Sequence, residues 1–562
     1  MSDGTLSLLA ALVEADPERT AIWDAHLEPP VPVSRLELWR RTVALRDDLR
    51  ARGVGRGDCV GVWLPNWSDA VVWQLAAASL GAHVIGINTR YGTDEVAHVL
   101  ERARPRVVAV AHGFLRLELA TRLREAAATV GAPAPSIAVI TGPGAEPADD
   151  DALAAYDVGA GTWVPSPTTG PLPPDTLDTI ARGEQPDELM VAFTSSGSTG
   201  RPKLAAHSNA AVAAHSTAVA RAGDWDESSV TLLVLPWSGV LAYNPGMAGL
   251  VSGGALVLVP EFDSGRALDL MAELDVTHLC CADDVGGRLM RDWQERPRDL
   301  SALRRLLIGD FYGESQQIAA WAEKETGATV VGIYGSSEIF ALTGFWSHDE
   351  PLPGRHGGGG RVVTPGMEVR VVDPISGEPV DGAGELQFRG PNVVDAYLGD
   401  DDGTIAAEAR TESGWFRTGD LGSAPGDGTF TYQCRMGDSL RLKGFLVEPA
   451  EIEARLSQHE DVERVKVVGL PTGSDMRAIA FVVPRPGTSP DPEQLRAWCA
   501  ATLARFKVPA RVHLIDEMPM TVGTNGAKIR AVALRDLARE LDEQDNEQDI
   551  EQPAAAGTKG TP

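Results

Sequence analysis

Strand-like and helix-like segments alternate along the first part of the chain, and this alternation constrains the fold more than any other feature. Each predicted strand is a short apolar run, and each predicted helix has apolar residues at helical spacing. In chain order the segments are helix 36–52, strand 59–64, helix 69–80, strand 81–87, helix 95–104 and strand 106–111. Strands that alternate with helices of this length predict a parallel, doubly wound α/β sheet.

The length of the chain and its later pattern predict further domains. A chain of 562 residues is too long for one hydrophobic core. Residues 142–186 are rich in Pro, Gly, Asp and Thr, which predicts a surface linker or loose loop, and a second α/β alternation follows over 189–345. From 354 to 432, short alternating runs are split by Gly and Pro, and they predict a small antiparallel or barrel-like layer.

The end of the chain has the pattern of a small domain followed by a tail. Residues 437–540 predict a compact α+β unit, and the residues after them are acidic and poor in apolar side chains. We therefore expect a large N-terminal domain over 1–436, made of two doubly wound α/β subdomains and a small β-barrel-like subdomain. A small C-terminal domain over 437–540 and a disordered acidic tail over 541–562 complete the prediction.

Charge, cysteine content and hydropathy limit the partners and the setting. A formal charge of −29 argues against a nucleic-acid partner, because phosphate binding needs a basic face. Five cysteines in a long chain do not make a disulfide framework, and the N-terminus lacks a signal-peptide pattern, so we expect a cytoplasmic protein. The apolar stretch 230–260 is interrupted by Pro and Gly, so it predicts a strand, a loop, a helix and a second strand rather than a membrane span.

A loop of hydroxyls and glycines follows the apolar strand predicted over 189–193 and ends in Lys203. It contains Thr194, Ser195, Ser196, Gly197, Ser198, Thr199 and Gly200. Glycines let backbone N–H groups close on phosphate oxygens, hydroxyls add donors, and lysine adds positive charge. The spacing does not match the Walker motif. The loop therefore indicates either a phosphate-binding site or a flexible Ser/Gly turn.

Three later segments each present one charged side chain. Glu338 follows a strand predicted over 329–333 and has the oxygen ligands that magnesium prefers. Asp420 lies in a turn and can accept two hydrogen bonds from a ribose diol, and Lys528 lies in a glycine-containing loop. Taken singly, each also has an ordinary interpretation: a surface glutamate, a β-turn aspartate and a solvated lysine.

Together, in this order and at these separations, the segments resemble the superfamily of adenylate-forming enzymes, which includes acyl-CoA synthetases, peptide-synthetase adenylation domains and luciferases. The resemblance extends over nearly the whole chain, and it includes residues 62–66, 86–88, 384–390 and 447–453. The chain is most similar to a stand-alone acyl-CoA synthetase.

The resemblance implies a role for each residue of an ATP site. The loop 194–203 would hold the phosphates, with Lys203 as a catalytic residue. Tyr334 would lie against adenine, Ser337 would touch the α-phosphate, and Glu338 would bind Mg²⁺ and take part in catalysis. The ribose hydroxyls would be held by Asp420, with Arg435 beside it.

The resemblance also implies a mobile C-terminal domain. Its hinge would lie at Gly437 and Asp438, since glycine accepts φ values that other residues avoid. Lys528 would reach from the small domain to bridge the substrate carboxylate and the α-phosphate. After rotation, the pantetheine of CoA would pass residues Lys443, Gly444 and Phe445.

The sequence departs from the family around the acyl pocket. Gly239 occupies a gate-like position where the family usually has an aromatic residue or histidine, and bulky Phe311 and Tyr312 replace part of a short glycine-rich loop. The residues implied to line the pocket are Trp237, Gly239, Tyr243, Gly309, Asp310, Phe311, Gly332 and Gly335. Gly239 and its apolar neighbours favour a sizeable, largely apolar acid.

The implied reaction converts an acid, ATP and CoA into acyl-CoA, AMP and pyrophosphate through an acyl-AMP intermediate, with ATP/AMP, Mg²⁺ and CoA as cofactors. CoA is preferred over a carrier protein because the chain contains no carrier unit. Three alternatives remain: thioester formation from a preformed adenylate, loading of a separate carrier protein, and a catalytically idle binding scaffold. The retained charged residues argue against the scaffold. The sequence leaves the oligomeric state open.

Overall fold

The computed structural model describes residues 4–168, 171–172, 176–195, 202–311, 313–352, 354–374, 376–436, 440–442, 445–447, 449–472, 475–503, 505–523 and 526–551. The chain divides into two compact units. The larger comprises Met1–Thr418, Ser423–Tyr432 and Gly523–Gly526, and the smaller comprises Gly419–Gly422, Gln433–Val522 and Ala527–Pro562.

The strands, in chain order, are β1 (Thr20–Asp24), β2 (Val31–Ser34), β3 (Cys59–Trp63), β4 (His83–Gly86), β5 (Val107–Ala111), β6 (Ser136–Ile140), β7 (Thr162–Trp163), β8 (Leu189–Thr194), β9 (Leu204–Ser208), β10 (Val230–Leu233), β11 (Ala255–Leu258), β12 (His278–Ala282), β13 (Arg305–Gly309), β14 (Thr329–Tyr334), β15 (Gly344–Phe345), β16 (Gly359–Val362), β17 (Glu368–Val372), β18 (Gly384–Arg389), β19 (Ala396–Tyr397), β20 (Phe416–Ser423), β21 (Thr429–Arg435), β22 (Leu440–Leu442), β23 (Phe445–Val447), β24 (Val462–Thr472), β25 (Asp475–Pro484), β26 (Arg511–Leu514), β27 (Met520–Gly523) and β28 (Gly526–Ile529).

The helices are α1 (Thr5–Ala15), α2 (Arg35–Ala51), α3 (Ser68–Ala78), α4 (Thr93–Ala103), α5 (Leu119–Thr129), α6 (Asp150–Tyr156), α7 (Thr176–Gly183), α8 (Asn209–Ala222), α9 (Val240–Val251), α10 (Ser264–Glu273), α11 (Asp283–Glu295), α12 (Ser315–Thr326), α13 (Thr404–Glu408), α14 (Pro449–Ser457), α15 (Pro492–Ala500) and α16 (Ala531–Glu551).

The first sheet of the larger unit confirms the predicted α/β alternation. Its order is β19-β9-β8-β4-β3-β5-β6-β7, and β8, β4, β3, β5, β6 and β7 run parallel. Every residue of β3, β4 and β5 is buried. Parallel strands covered on both faces need continuous apolar runs, which is why these strands were recognisable in the sequence.

The second sheet combines a parallel and an antiparallel part. Strands β11, β10, β12, β13 and β14 run parallel, and β15, β16 and β21 then pair in antiparallel fashion. The predicted change to short antiparallel strands is therefore confirmed. These strands continue the large sheet instead of forming a layer of their own, because β15 pairs directly with β14.

The apolar stretch 230–260 folds in the predicted order. It contains β10, a loop, the buried helix α9 and β11. Among the described residues, none of the helices has both the length and the apolar character that a membrane-spanning helix needs.

The smaller unit is α+β, as predicted. Strands β24, β25 and β26 form one sheet, and helices α14 and α15 pack on it around a core that includes Ile452, Ala480 and Leu495. Helix α16 continues to Glu551, although the composition from 541 onward predicts disorder. Glutamate, glutamine and leucine favour helices, and an Asp542–Arg477 ion pair of 2.7 Å ties this part of the helix to β25. Residues 552–562 of the predicted tail lie outside the described residues.

We expect the free energy of unfolding to decrease as the pH falls below about 6.5, because several buried histidines are neutral in the folded protein. Burial lowers the pKa values of His83, His207, His215 and His278 to about 4, whereas an unfolded histidine titrates near 6.5. Between these values the unfolded chain binds more protons, so each histidine removes up to about 1.4 kcal/mol per pH unit of acidification. Above the pKa of the unfolded state these histidines cost no stability. The loss of unfolding free energy grows as the pH falls from that value towards the pKa of the folded state.

Chemical unfolding at about pH 7.5 and about pH 5 measures this loss. The control is His348→Gln, because the His348 side chain is 57% exposed and its removal should leave the pH profile unchanged. Equal unfolding free energies at the two pH values would contradict the prediction.

Candidate active site

The predicted phosphate loop joins two antiparallel strands, β8 and β9. Thr194 lies opposite Leu204, and Ser195 N donates a hydrogen bond of 2.8 Å to Lys203 O, so the two ends of the loop are closed together. A hydrogen bond of 2.6 Å joins Thr194 Oγ1 to Tyr91 OH. Ser195 Oγ is buried and has no hydrogen-bond partner among the described residues. The predicted residues Ser196, Gly197, Ser198, Thr199 and Gly200 lie outside the described residues.

Lys203 lies over the ring of a buried tyrosine, Tyr397. Strand β19 pairs with β9, and this pairing places Lys203 Nζ 5.6 Å from the centroid of the Tyr397 ring. Burial and, to a smaller extent, the negative charge of Glu338 raise the pKa of the Tyr397 hydroxyl. That hydroxyl is buried, and no described residue accepts or donates a hydrogen bond to it. The structure therefore places the lysine at the end of the loop against a buried tyrosine from a distant segment.

Tyr397 was not among the residues singled out from the sequence. Its partner Lys203 lies far earlier in the chain, and no local pattern marks a tyrosine on a two-residue strand. Only the pairing of β19 with β9 reveals the contact.

Tyr334 ends β14 and lies in an aromatic cluster. Its ring is 5.8 Å from Phe388, 5.2 Å from Phe430 and 5.5 Å from Tyr432, measured between centroids. Ser337 is buried, and Glu338 is half-buried. The cluster fixes one side of the Tyr334 ring, and its contact with adenine stays a prediction.

The chain makes a left-handed turn directly after Glu338. Phe340, Ala341 and Leu342 have φ values of 64°, 42° and 42°. This region costs a non-glycine residue about 1–2 kcal/mol. The turn folds back on the strand end, since Ala341 N donates a hydrogen bond of 2.7 Å to Ser336 O. Sequence patterns did not predict this strained turn.

Gly335 makes this turn possible. A Cβ atom at Gly335 would lie 2.5 Å from Ala341 Cα, so only a glycine lets the two backbones approach. We expect Gly335→Ala to lower the unfolding free energy by about 1–3 kcal/mol through overpacking. Urea unfolding measures the change. Gly382→Ala is the matched control, since Gly382 is exposed and a Cβ there meets nothing within 4 Å. Equal losses in the two variants would refute the close approach.

Three predicted pocket residues lie at the start of α9. Trp237 and Tyr243 are buried with ring centroids 5.1 Å apart, and a small cavity lined also by Phe193 adjoins them. Gly239, predicted to leave a gate open, is buried at the N-cap of α9, where its carbonyl accepts hydrogen bonds from the N–H groups of Ala242 and Tyr243. The Tyr243 hydroxyl is buried without a hydrogen-bond partner among the described residues.

The other predicted pocket residues lie at strand ends. Gly309 ends β13, and Asp310 Oδ1 accepts from Gly313 N at 3.1 Å, so its carboxylate supports the loop itself. Phe311 is 38% exposed, and its N–H donates to Asp283, which the sequence did not single out. Gly332 lies on β14, where a Cβ atom would overlap the carbonyl oxygen of residue 357. Tyr312 lies outside the described residues.

In the smaller unit, the structure brings Asp420 and Arg435 together. Arg435 Nη1 lies 2.7 Å from Asp420 Oδ1, and the aspartate is buried. The neighbouring backbones are joined by a hydrogen bond of 2.8 Å from Met436 N to Gly419 O. The guanidinium therefore fixes the orientation of the carboxylate predicted to hold ribose.

The remaining predicted residues lie partly beyond what the structure describes. Phe445 is on β23 and Lys528 is on β28. Gly437, Asp438, Lys443 and Gly444 lie outside the described residues.

Two family models match the chain. The model for AMP-binding enzymes matches residues 9–398, and the model for the C-terminal domain of AMP-binding enzymes matches residues 451–523. Among curated relatives, a methyl-dioxo-octahydroindenyl-propanoyl:CoA ligase of Rhodococcus jostii is 30% identical over 488 residues, which are 84% of this chain and 88% of the relative. A feruloyl-CoA synthase of an Amycolatopsis species is 29% identical over 491 residues, 86% of this chain and 90% of the relative.

Solved structures share the fold. ATP-bound MatB of Rhodopseudomonas palustris has a TM-score of 0.76 and 25% identity, and the match covers 96% of this chain and 100% of MatB. The anthranilate CoA ligase AuaEII in complex with anthranoyl-AMP has a TM-score of 0.78 and 21% identity, with 96% and 98% coverage. The mixed α/β architecture with a small C-terminal domain is thus the one these proteins have.

Proposed function

The chain belongs to the family of AMP-binding enzymes and is an acid–thiol ligase, and from this premise we propose that it joins a carboxylic acid to AMP and then transfers the acyl group to CoA. The observation that supports this proposal best is the closure of the 194–203 loop by the hydrogen bond from Ser195 N to Lys203 O, with the Lys203 ammonium over the Tyr397 ring. The half-buried Glu338 follows β14 and adds a carboxylate. Positive charge for phosphate oxygens and a carboxylate for a cation are what adenylation requires.

The first step sets an anion against a polyanion. The substrate carboxylate attacks the α-phosphorus of ATP, a P–O bond forms, and the bond to pyrophosphate breaks. Lys203 and Lys528 lower the repulsion and stabilise the charge that develops in line. Ser337 contacts the α-phosphate, and Asp420, oriented by Arg435, accepts hydrogen bonds from the ribose hydroxyls. In the second step the CoA thiol attacks the acyl carbonyl and AMP leaves.

The donor set suits magnesium. Glu338 is half-buried and would act as a single carboxylate ligand. Over the described ranges there is no group of three or more His, Cys, Asp or Glu side chains able to hold a metal ion. Magnesium in ATP sites takes one or two carboxylates, and substrate phosphates and water complete its octahedron. When bound, the ion would neutralise phosphate charge.

We propose a bulky, largely apolar acid as the substrate. The feruloyl-CoA synthase and the octahydroindenyl-propanoyl:CoA ligase are relatives whose names specify ring-bearing acids. In this chain the predicted pocket wall is aromatic, with Trp237 and Tyr243 packed together. Activity on acetate alone would contradict this substrate class.

We also propose that the chain divides near residue 436 into the domains 1–436 and 437–540, with a hinge at residues 437–438. The division into two compact units, the second made mostly of Gln433–Val522, supports this boundary. All five cysteines are free thiols, which agrees with our proposal of a cytoplasmic enzyme.

Pyrophosphate release from ATP and Mg²⁺ tests the function against a panel of carboxylic acids, with and without CoA. Acid-dependent release is expected, with stimulation by CoA. If release is absent, synthetic acyl-AMP and CoA are offered instead: thioester formation would then assign only the second step to the enzyme. Failure of both steps across the panel would refute the proposed function.

A further inference from the structure

Five consecutive carbonyl groups after β14 are each held by a hydrogen bond from outside the segment. Ser337 O accepts a hydrogen bond from His207 Nε2 at 2.7 Å, and Glu338 O accepts one from Val394 N at 2.6 Å. Ile339 O accepts two, from Asn392 Nδ2 at 3.2 Å and from Thr343 Oγ1 at 2.7 Å. Phe340 O accepts from Asn244 Nδ2, and Ala341 O accepts from His215 Nε2 at 2.8 Å. The segment belongs to neither a helix nor a strand, so these bonds replace the usual backbone ladder.

Besides the neighbouring Thr343, four of the donors are buried side chains from distant parts of the chain: His207, His215, Asn244 and Asn392, which we call the carbonyl clamp. His207 Nδ1, Asn244 Oδ1 and Asn392 Oδ1 have no hydrogen-bond partner among the described residues. A buried polar atom without a partner lowers stability, and an apolar side chain of similar size would avoid that loss. What the four side chains share is the N–H donor that each directs at the segment 337–341.

The clamp encloses the left-handed turn. The Phe340 ring packs against both imidazoles: its centroid is 4.2 Å from that of His207, in a stacked arrangement, and 5.2 Å from that of His215. Strained backbone persists only where its surroundings over-determine it, and it is concentrated at functional sites. The hydrogen bonds and ring contacts of the carbonyl clamp hold the strained turn in place.

We propose that the carbonyl clamp positions Glu338 to receive the magnesium–ATP complex, an inference that rests on the function proposed above for Glu338. His207 and Val394 hold the carbonyls of the two peptide units that flank the Glu338 Cα. These bonds fix the backbone on both sides of the Glu338 Cα and so set the direction in which its side chain leaves the chain. A side chain on a fixed backbone loses less conformational freedom when its carboxylate binds a cation.

The test is the affinity of the full-length protein for ATP, measured by titration calorimetry with Mg²⁺ and with a chelator. His207→Leu removes the donor to Ser337 O, and we expect it to weaken ATP binding about tenfold in Mg²⁺ but not in chelator. His207→Gln can still donate from its amide, so it should recover most of the affinity. Asn244→Leu, which removes the donor to Phe340 O, provides a second variant should His207→Leu fail to fold.

His278→Leu is the matched control. His278 is also buried and donates from Nε2 to a backbone carbonyl, that of Gly223, at 3.1 Å, but it stacks on Trp225 at the start of β12. Its loss should lower the melting temperature and leave the gain in affinity from Mg²⁺ unchanged. A purely structural role for the clamp predicts that His207→Leu and His278→Leu behave alike.

The outcomes separate this inference from the proposed function. Unchanged Mg²⁺-dependent affinity in folded His207→Leu and Asn244→Leu would overturn the clamp, and so would a wild-type protein whose ATP affinity does not respond to Mg²⁺. The wild type could fail to turn over any acid while His207→Leu still loses the increase in ATP affinity that Mg²⁺ causes. That result would refute the proposed function and support the role of the carbonyl clamp in positioning Glu338.

Discussion

Replacing Lys528 by alanine is expected to slow acyl-AMP formation by about 10²–10³-fold while thioester formation from synthetic acyl-AMP and CoA persists. The reason is the charge of the first step, in which a carboxylate approaches a triphosphate. The ammonium group of Lys528 offsets this repulsion where charge develops. The second step starts from a mixed anhydride whose acyl carbonyl is neutral. Its rate should therefore decrease less than that of the first step when Lys528 is replaced. Acid-dependent pyrophosphate release and CoA-dependent consumption of acyl-AMP measure the two steps separately.

The control for this variant is Lys466→Ala. Lys466 lies in the same unit, 3.0 Å from Glu453, and its ion pair should contribute little because it is near the surface. Both steps should proceed normally in this variant. Normal rates of both steps in Lys528→Ala would refute the catalytic assignment, and equal losses in both would assign Lys528 to the integrity of the fold.

Glu338→Gln is expected to reduce acyl-AMP formation by a similar factor, about 10²–10³-fold, and to raise the Mg²⁺ concentration needed for half-maximal rate. Glutamine preserves the shape of the side chain but removes the negative charge that a hard divalent cation prefers. The measurement is pyrophosphate release over a range of Mg²⁺ concentrations at fixed ATP.

Glu368→Gln provides the comparison for Glu338. Glu368 is 55% exposed and pairs with Arg389 on β18, so its loss should change neither rate nor Mg²⁺ requirement. A Glu338→Gln enzyme with a lower rate but an unchanged Mg²⁺ requirement would show that the carboxylate acts without the metal.

Local pattern was sufficient for most elements of the fold. Strands β3, β4 and β5 are covered on both faces, so each reads as a continuous apolar run. In the stretch 230–260, Pro236 and Gly239 precede α9 and Gly253 and Gly254 follow it, whereas Pro245 lies inside the helix. The sequence did not predict that the antiparallel strands continue the large sheet, because the pairing of two strands depends on both strands and cannot be inferred from the pattern of one.

Parts of the site were predictable and others were not. Resemblance identified Lys203, Glu338, Asp420 and Arg435, which carry charge in short segments of distinct composition. A small residue at a gate-like position suggested open space at Gly239, which lies at the buried N-cap of α9, and its role as an open gate stays a prediction. An absent side chain does not tell whether backbone or solvent occupies its place.

Residue types a few positions apart were sufficient to predict the α/β class, the order of most elements and the family. The pairing of distant segments was needed to show that Lys203 lies over the Tyr397 ring and that two histidines and two asparagines hold the segment after β14. The four side chains lie on β9, α8, α9 and in the segment just before β19, and these elements are far apart in the chain. In the sequence, a histidine or asparagine in a buried helix or strand cannot be distinguished from an ordinary core residue. Its hydrogen bond to a distant carbonyl group is visible only in the folded structure.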